Sequence, residues 1–172
     1  MLSCPLEELP QSAIIVAAHL DGKVSLDSLI RLITAPLLYA TIDTVIDFAG
    51  AQSWFEGKQT APAGIAELIS RLGSARALEL LLTEATINSQ RAIELGILNE
   101  ICSQSEFEER MERVSKLSIS AIELAVDLAR RAPRLAGAQA EALERYVFAL
   151  RFSHPDQQEG MQAFLEKREP RF

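Results

Sequence analysis

The sequence predicts an α/β fold, a small and largely parallel sheet followed by a helical C-terminal half. Three observations predict it. In the first fifty residues a short apolar run, an amphipathic segment and two β-branched runs follow one another, which is the strand–helix–strand order of a parallel unit. Residues 62–101 form a relay of short helical segments parted by chemically marked turns. From residue 105 onward the apolar residues recur mostly at helical spacing.

The elements follow in order. Residues 1–12 (MLSCPLEELPQS) hold two prolines and read as an irregular or extended arm. Residues 13–18 (AIIVAA) suit a strand buried on both faces, and residues 19–23 (HLDGK) a turn centred on Asp21-Gly22. Leu26, Leu29, Ile30 and Ile33 keep i, i+3, i+4, i+7 spacing, so residues 26–33 form an amphipathic helix with Ser25 as its cap and Pro36 as its stop. Residues 37–42 (LLYATI) and 44–48 (TVIDF) are rich in strand formers and read as two strands parted by Asp43. Residues 50–61 form a loop whose pair Trp54-Phe55 either packs into the core or faces a ligand.

In the relay, Pro62 and Gly64 open a helix that Gly73 closes. A second helix, 75–82, carries apolar residues at Ala75, Leu78, Leu81 and Leu82. Asn88 caps a third, with Gly96 just past its end. Ser105 and Glu108 form a capping box for the next helix. Residues 120–131 form another, with Arg130 and Arg131 in its last turn and Pro133 beyond. Residues 137–152 make a long helix, and Ser153 or His154 caps the last one, with Pro155 and Asp156 in its opening turn. The expected organisation is one domain: a reduced βαβ core (1–61), the relay (62–104) and the C-terminal helices (105–172).

Composition bounds the function. The chain has 172 residues, 48% hydrophobic and 24% charged, which suits a soluble domain with a sizeable core. A net charge of −7 gives no electrostatic case for binding nucleic acid or an anionic membrane. Cys4 and Cys102 lack metal-ligand or disulfide-framework spacing, so a reducing compartment, the cytoplasm, is expected, and no metal site. No apolar run is long enough to span a bilayer, and no membrane partner is expected.

Two separated motifs carry a resemblance. The first comprises Pro62-Ala63-Gly64, Arg71-Leu72-x-Gly73, Ala77-Leu78-Glu79-Leu80, Leu82-Thr83 and Ala92-Ile93-Glu94-Leu95-Gly96 followed by Ile97. The second is Glu159-Gly160-Met161-Gln162-Ala163-Phe164-Leu165-Glu166-Lys167-Arg168, then Pro170 and Phe172. In this order they resemble the crotonase (enoyl-CoA hydratase/isomerase) superfamily, from about Pro62 to the end of the chain. Before Pro62 the sequence resembles a crotonase core cut down: between Asp43 and Thr44 there is no room for the loop and helix that the family places there. The resemblance implies a reduced crotonase-like fold. It also implies a hydratase- or isomerase-type activity on an acyl-CoA or acyl-carrier-protein thioester, with coenzyme A as part of the substrate and no other cofactor. It further implies a homo-oligomer, a trimer or a multiple of one. Where the family carries Gly after Thr83, this chain carries Glu84, so the turn there must differ, or be strained if it needs positive φ.

That chemistry stabilises a thioester enolate and needs two backbone N–H groups aimed at one oxygen. The family draws one from an Ala-Phe-x-x-Gly-x-Asp loop and the other from a Gly-Gly-Gly turn at a helix N-terminus. His19-Leu20-Asp21-Gly22 stands at the first place without that pattern, and the second turn is absent. Hydration also needs a pair of carboxylates with separated pKa values. Glu56, after Trp54-Phe55, is the nearest counterpart of one, while Asp43 and Asp47 lie near strand ends, where sites in α/β folds gather. By resemblance, Gly64, Phe164 and Lys167 are the expected acyl-CoA contacts. Two readings follow: a thioester enzyme (a lyase or isomerase), or a pseudoenzyme that serves as an oligomerisation or interaction partner. The missing oxyanion turns predict poor hydration of ordinary enoyl-CoA substrates.

Overall fold

The chain alternates between two small sheets. In the computed structural model, which describes residues 16–60 and 64–172, strand β1 (Ala17–Leu20) leads through a two-residue turn into β2 (Lys23–Ser25). After helix α1 (Leu26–Leu32), strand β3 (Leu37–Ala40) leads through residues 41–44 into β4 (Val45–Asp47). β1 pairs in parallel with β3, with Ala17 opposite Leu37, and β3 in parallel with β6 (Glu100–Ile101). β2 pairs in parallel with β4, with Val24 opposite Ile46, and β4 antiparallel with β5 (Thr86–Asn88). The sheets are therefore mostly parallel, as the sequence predicts, but among the described residues there are two, of three strands each.

The sequence places the first strand at 13–18 and a turn at 19–23; of that strand, residues 13–15 lie outside the described residues. β1 runs on through His19 and Leu20, and the turn shrinks to Asp21-Gly22. His19 stays in the ladder because its Nε2–H donates to the Cys102 carbonyl at 2.9 Å and its ring stacks on Phe107, centroids 5.2 Å apart. α1 forms as expected. Ser25 Oγ accepts from the Ser28 N–H, Asp27 sits at the positive end of the helix dipole, and Leu26, Leu29, Ile30 and Leu32 are buried. Leu29 and Ile33 are fully inaccessible, and each such side chain contributes roughly 1.5–3 kcal/mol by leaving water.

The segment read as a loop at 50–61 contains a short helix, α2 (Gln52–Phe55). Trp54 packs against the core while Phe55 is 53% exposed, so the aromatic pair splits. The relay then runs α3 (Ile65–Leu72), α4 (Ser74–Thr83), β5 and α5 (Ser89–Glu94). Gly64 heads α3 at φ 117°, and a Cβ there would lie 2.8 Å from both Ile30 Cγ2 and the Ile30 carbonyl oxygen, so only glycine fits. α4 is turned relative to the sequence reading: Ala77, Leu80 and Leu81 are buried, while Leu78 and Leu82 face water. Asn88 caps α5 as expected, its Oδ1 accepting from the Arg91 N–H at 2.8 Å.

The chain divides into two compact units, residues 1–107 and 108–172. Helix α6 (Gln104–Ser115) carries the boundary. Its capping box is Ser103 with Glu106 rather than Ser105 with Glu108: Ser103 N–H donates to Glu106 Oε2 at 2.8 Å and Glu106 N–H to Ser103 Oγ at 3.3 Å. The second unit continues with α7 (Ile119–Arg131), a 3₁₀ turn (Ala132–Arg134), α8 (Gly137–Arg151) and α9 (Pro155–Glu166). His154 caps α9 through Nδ1, which accepts from the Asp156 N–H at 3.3 Å. The principal apolar core, from Leu20 to Leu98, belongs to the first unit.

Candidate functional site

The place where the sequence runs short is a turn that closes on itself. From Ala40 to Val45 the chain has four connecting residues, Thr41–Ile42–Asp43–Thr44. Thr41 N–H donates to the Leu20 carbonyl at 3.0 Å, Thr44 N–H to the Thr41 carbonyl at 3.2 Å, and Val45 N–H to the Gly22 carbonyl at 3.0 Å. Thr41 Oγ1 donates to Asp21 Oδ1 at 2.7 Å, and the fully buried Thr44 hydroxyl donates to the Leu20 carbonyl at 3.0 Å. From the other side Ser89 donates twice, through Oγ to the Ile42 carbonyl at 2.8 Å and through N–H to the Thr44 carbonyl at 3.0 Å. The N–H groups of Thr41, Thr44 and Val45 are thus engaged in holding the crossover between the sheets.

The carboxylates named from sequence take three different surroundings. Asp47 ends β4 and is the most embedded. Lys23 Nζ lies 2.8 Å from its Oδ2, and Ala49 N–H and the Thr86 hydroxyl donate to Oδ1 at 3.0 and 3.4 Å. The Lys23 ammonium first, and the Ala49 N–H second, hold this carboxyl below the ordinary range, so at neutral pH Asp47 is an ion-paired acceptor. Asp43 is exposed in the 41–44 turn, at the opposite end of β4 from Asp47. Glu56 follows α2, with Lys58 Nζ 2.6 Å from its Oε2 and both side chains open to water. The fold does not gather Asp43 and Asp47 around one point.

Of the residues expected to contact acyl-CoA, Gly64 heads α3 against Ile30. Phe164 lies on α9 with 79% of its surface exposed, and Lys167 ends that helix at φ 55°. Among the described residues no group of three or more His, Cys, Asp or Glu side chains could hold a metal ion, and no helix is long and apolar enough to cross a membrane.

Two arrangements were not read from sequence. Glu84 adopts φ 48°, a left-handed backbone, and its Oε1 accepts from both Gly50 N–H and Gln52 N–H at 3.0 Å. The side chain caps the entry to α2 from 34 residues away in sequence, and no local pattern announces such a contact. In the second unit, Asp156 receives the hydroxyls of Ser118 and Ser120, and Arg151 Nη1 donates to Ser120 Oγ at 2.8 Å. The two serine hydroxyls, Ser118 foremost, lower the Asp156 pKa. This cluster ties the starts of α7 and α9 to the end of α8. Beside it α7 and α8 enclose an open apolar groove of about 570 Å³.

These features define a mixed α/β protein of crotonase-like architecture with a helical C-terminal unit. The enoyl-CoA hydratase/isomerase family model matches residues 47–172, and the chain belongs to that family, within the crotonase superfamily. It is similar to a probable enoyl-CoA hydratase of Mycobacterium bovis, 31% identical over 113 residues that cover 63% of this chain and 44% of the relative. A crotonyl-CoA hydratase of Syntrophomonas wolfei is 32% identical over 114 residues, with the same two coverages. The chain thus spans less than half the length of these curated relatives. Among solved structures, an enoyl-CoA hydratase subunit of Geobacillus kaustophilus aligns at a TM-score of 0.70 with 30% identity, over 88% of this chain and 59% of that one. An enoyl-CoA hydratase of Mycobacterium smegmatis aligns at 0.73 over 90% and 60%, and at 23% identity it speaks for the fold alone.

Proposed function

We propose that this protein binds an acyl-CoA or acyl-carrier-protein thioester in the manner of a hydratase or isomerase, and that it turns over ordinary enoyl-CoA substrates poorly. Membership of the family supports the ligand class. The observation that carries the low turnover is the four-residue crossover between β3 and β4. The N–H groups of Thr41 and Thr44 within it and of Val45 just after it donate to protein carbonyls, and each oxyanion donor that is lost typically costs about two to three orders of magnitude in rate. The carboxylates agree with this reading. Hydration asks two of them to flank one bound water, whereas Asp47 is occupied by Lys23 and Asp43 lies at the far end of the same strand.

The test is turnover of crotonyl-CoA by the purified protein, followed by loss of the conjugated thioester absorbance. The expected rate is far below the roughly ten per second of a median enzyme, and a rate at or above that figure refutes the low-turnover reading. A thermal-shift series with acyl-CoAs of increasing length tests binding separately, because a ligand held only by the folded chain raises its apparent stability.

A second reading, a non-catalytic partner that works through its helices, draws on α8, a fifteen-residue helix with no buried side chain. On that reading acyl-CoAs leave the melting temperature unchanged.

A further inference from the structure

Helix α9 and the tail behind it are bonded mostly to themselves. Arg168 pairs with Glu159 through Nη1 and Nη2, at 2.6 and 3.0 Å, and with Glu166 through Nε at 2.6 Å. Arg171 N–H donates to Glu159 Oε1 at 2.7 Å, and Gln162 Nε2 to Glu166 Oε1 at 2.9 Å. A Cβ on Gly160 would meet the Phe172 ring at 4.0 Å, so the tail doubles back along the helix. His154 and Pro155 start the helix from within the segment. Residues 154–172 therefore hold their own shape.

Little ties this segment to the rest of the second unit. Of its side chains only Ala163 is buried, while Met161, Phe164 and Leu165 are exposed. The tail faces Ser115 and Lys116 across an open cleft of about 340 Å³. Among the described residues, the side-chain hydrogen bonds that leave the segment are those of Asp156. Its Oδ2 accepts from Ser118 Oγ and, at 2.6 Å, from Ser120 Oγ, both at the start of α7. Arg151 Nη1, at the end of α8, donates to Ser120 Oγ at 2.8 Å, which leaves the serine proton for the carboxylate. Bonds to an ionised acceptor are roughly twice as strong as neutral ones. They lie close in sequence to residues 152–153, the exposed pair that joins α8 to the segment.

We propose that Asp156 is a latch. Residues 154–172 form an arm that turns as one body about residues 152–153, and the bonds to Ser118 and Ser120 hold it to the start of α7. Releasing the carboxylate frees the arm without melting it, because the Glu159–Arg168 set travels with it. On the acyl-CoA reading above, the arm carries Phe164 and Lys167, which makes Asp156 a positioning residue for both. That consequence rests on the acyl-CoA reading; the latch does not, and no acyl-CoA enters its test.

The test is a distance between two spin labels, at E123C on α7 and L165C on α9, in a C4A/C102A chain diluted with unlabelled chain. Both positions are exposed. The parent chain should give one narrow distance distribution. D156N, which keeps the size of the side chain and removes its charge, should widen that distribution about twofold or more. S120A, which removes one donor and its link to Arg151, should widen it in the same direction. The two changes together should add little to D156N alone, since both open one latch. Amide exchange within α9 should stay within about twofold of the parent in every variant. Distributions that remain narrow in folded D156N and S120A overturn the proposal. So does a loss of α9 protection alongside the widening, which would make Asp156 a support of the helix itself, and so does full additivity of the two changes. Should D156N fail to fold, S120A decides by the same distance and the same exchange.

Discussion

At the scale of single residues, two backbone positions decide most. Gly64 combines φ 117° with an ideal Cβ position 2.8 Å from Ile30, so Gly64→Ala adds both backbone strain and a clash with main chain. Strain and overpacking each cost about 1–3 kcal/mol; a urea titration should show a loss in that range or above, with little change in slope. Glu84 already bears its left-handed conformation, and Glu84→Ala keeps that backbone while removing the acceptor of Gly50 N–H and Gln52 N–H. The expected cost is about 0.5–2 kcal/mol, as for other lost caps, and Glu84→Gln should retain much of it. Glu159 supplies the pH dependence of the C-terminal tail. Arg168 grips it with two nitrogens at 2.6 and 3.0 Å and the Arg171 N–H adds a third bond, which lowers its pKa to about 2. A depressed carboxyl stabilises the fold above its unfolded pKa and loses that stabilisation as pH falls toward the folded value. Thermal melts should therefore show a loss of stability below about pH 4.5 that continues toward pH 2, and Glu159→Gln should flatten that part of the profile.

At the scale of elements, α1 is the anchor of the first unit. It is only seven residues long, too short to persist by propensity, and it holds because Leu26, Leu29, Ile30 and Leu32 are all buried. Leu29→Ala should cost about 2–5 kcal/mol in chemical denaturation. The crossover at residues 41–44 is held by polar bonds instead. Thr44→Val removes the hydroxyl that donates to the Leu20 carbonyl and keeps the Thr41 N–H donating to it. The bonds that hold the turn also occupy the N–H groups of Thr41, Thr44 and Val45, the feature on which the proposed low turnover rests.

At the scale of the whole molecule, the two units differ in what they bury. The cluster from Leu20 to Leu98 gives the first unit a continuous core, whereas residues 108–172 bury Val126 and Ala163 and lean on polar ties at Asp156 and Glu159. Backbone amide exchange should accordingly be slowest in α1, β3 and β4, and faster in α8. Equal exchange rates in α8 and in α1, β3 and β4 would contradict this ranking.

Periodicity, prolines and capping residues by themselves determined the first strand, the amphipathic α1, the next two strands, the succession of helices after residue 64 and the caps at Ser25 and Asn88, because these depend on neighbours within one or two turns; β2, β5, β6 and α2 were not read, and the cap of α9 was left between Ser153 and His154. The family was legible too, since its motifs at 62–97 and 159–172 are local strings. The strand positions of His19 and Leu20, the outward turn of Leu78 and Leu82, and the splitting of Trp54 from Phe55 were settled only by tertiary packing. Each depends on a partner far along the chain: Cys102 and Phe107 for His19, the shared core for the others. The candidate site divides in the same way. The shortness of the Asp43–Thr44 connection is visible in the letters, but the capture of its N–H groups by Leu20 and Gly22 and the pairing of Asp47 with Lys23 are not. Hydrogen bonds and ion pairs between distant segments exist only once the two sheets have formed.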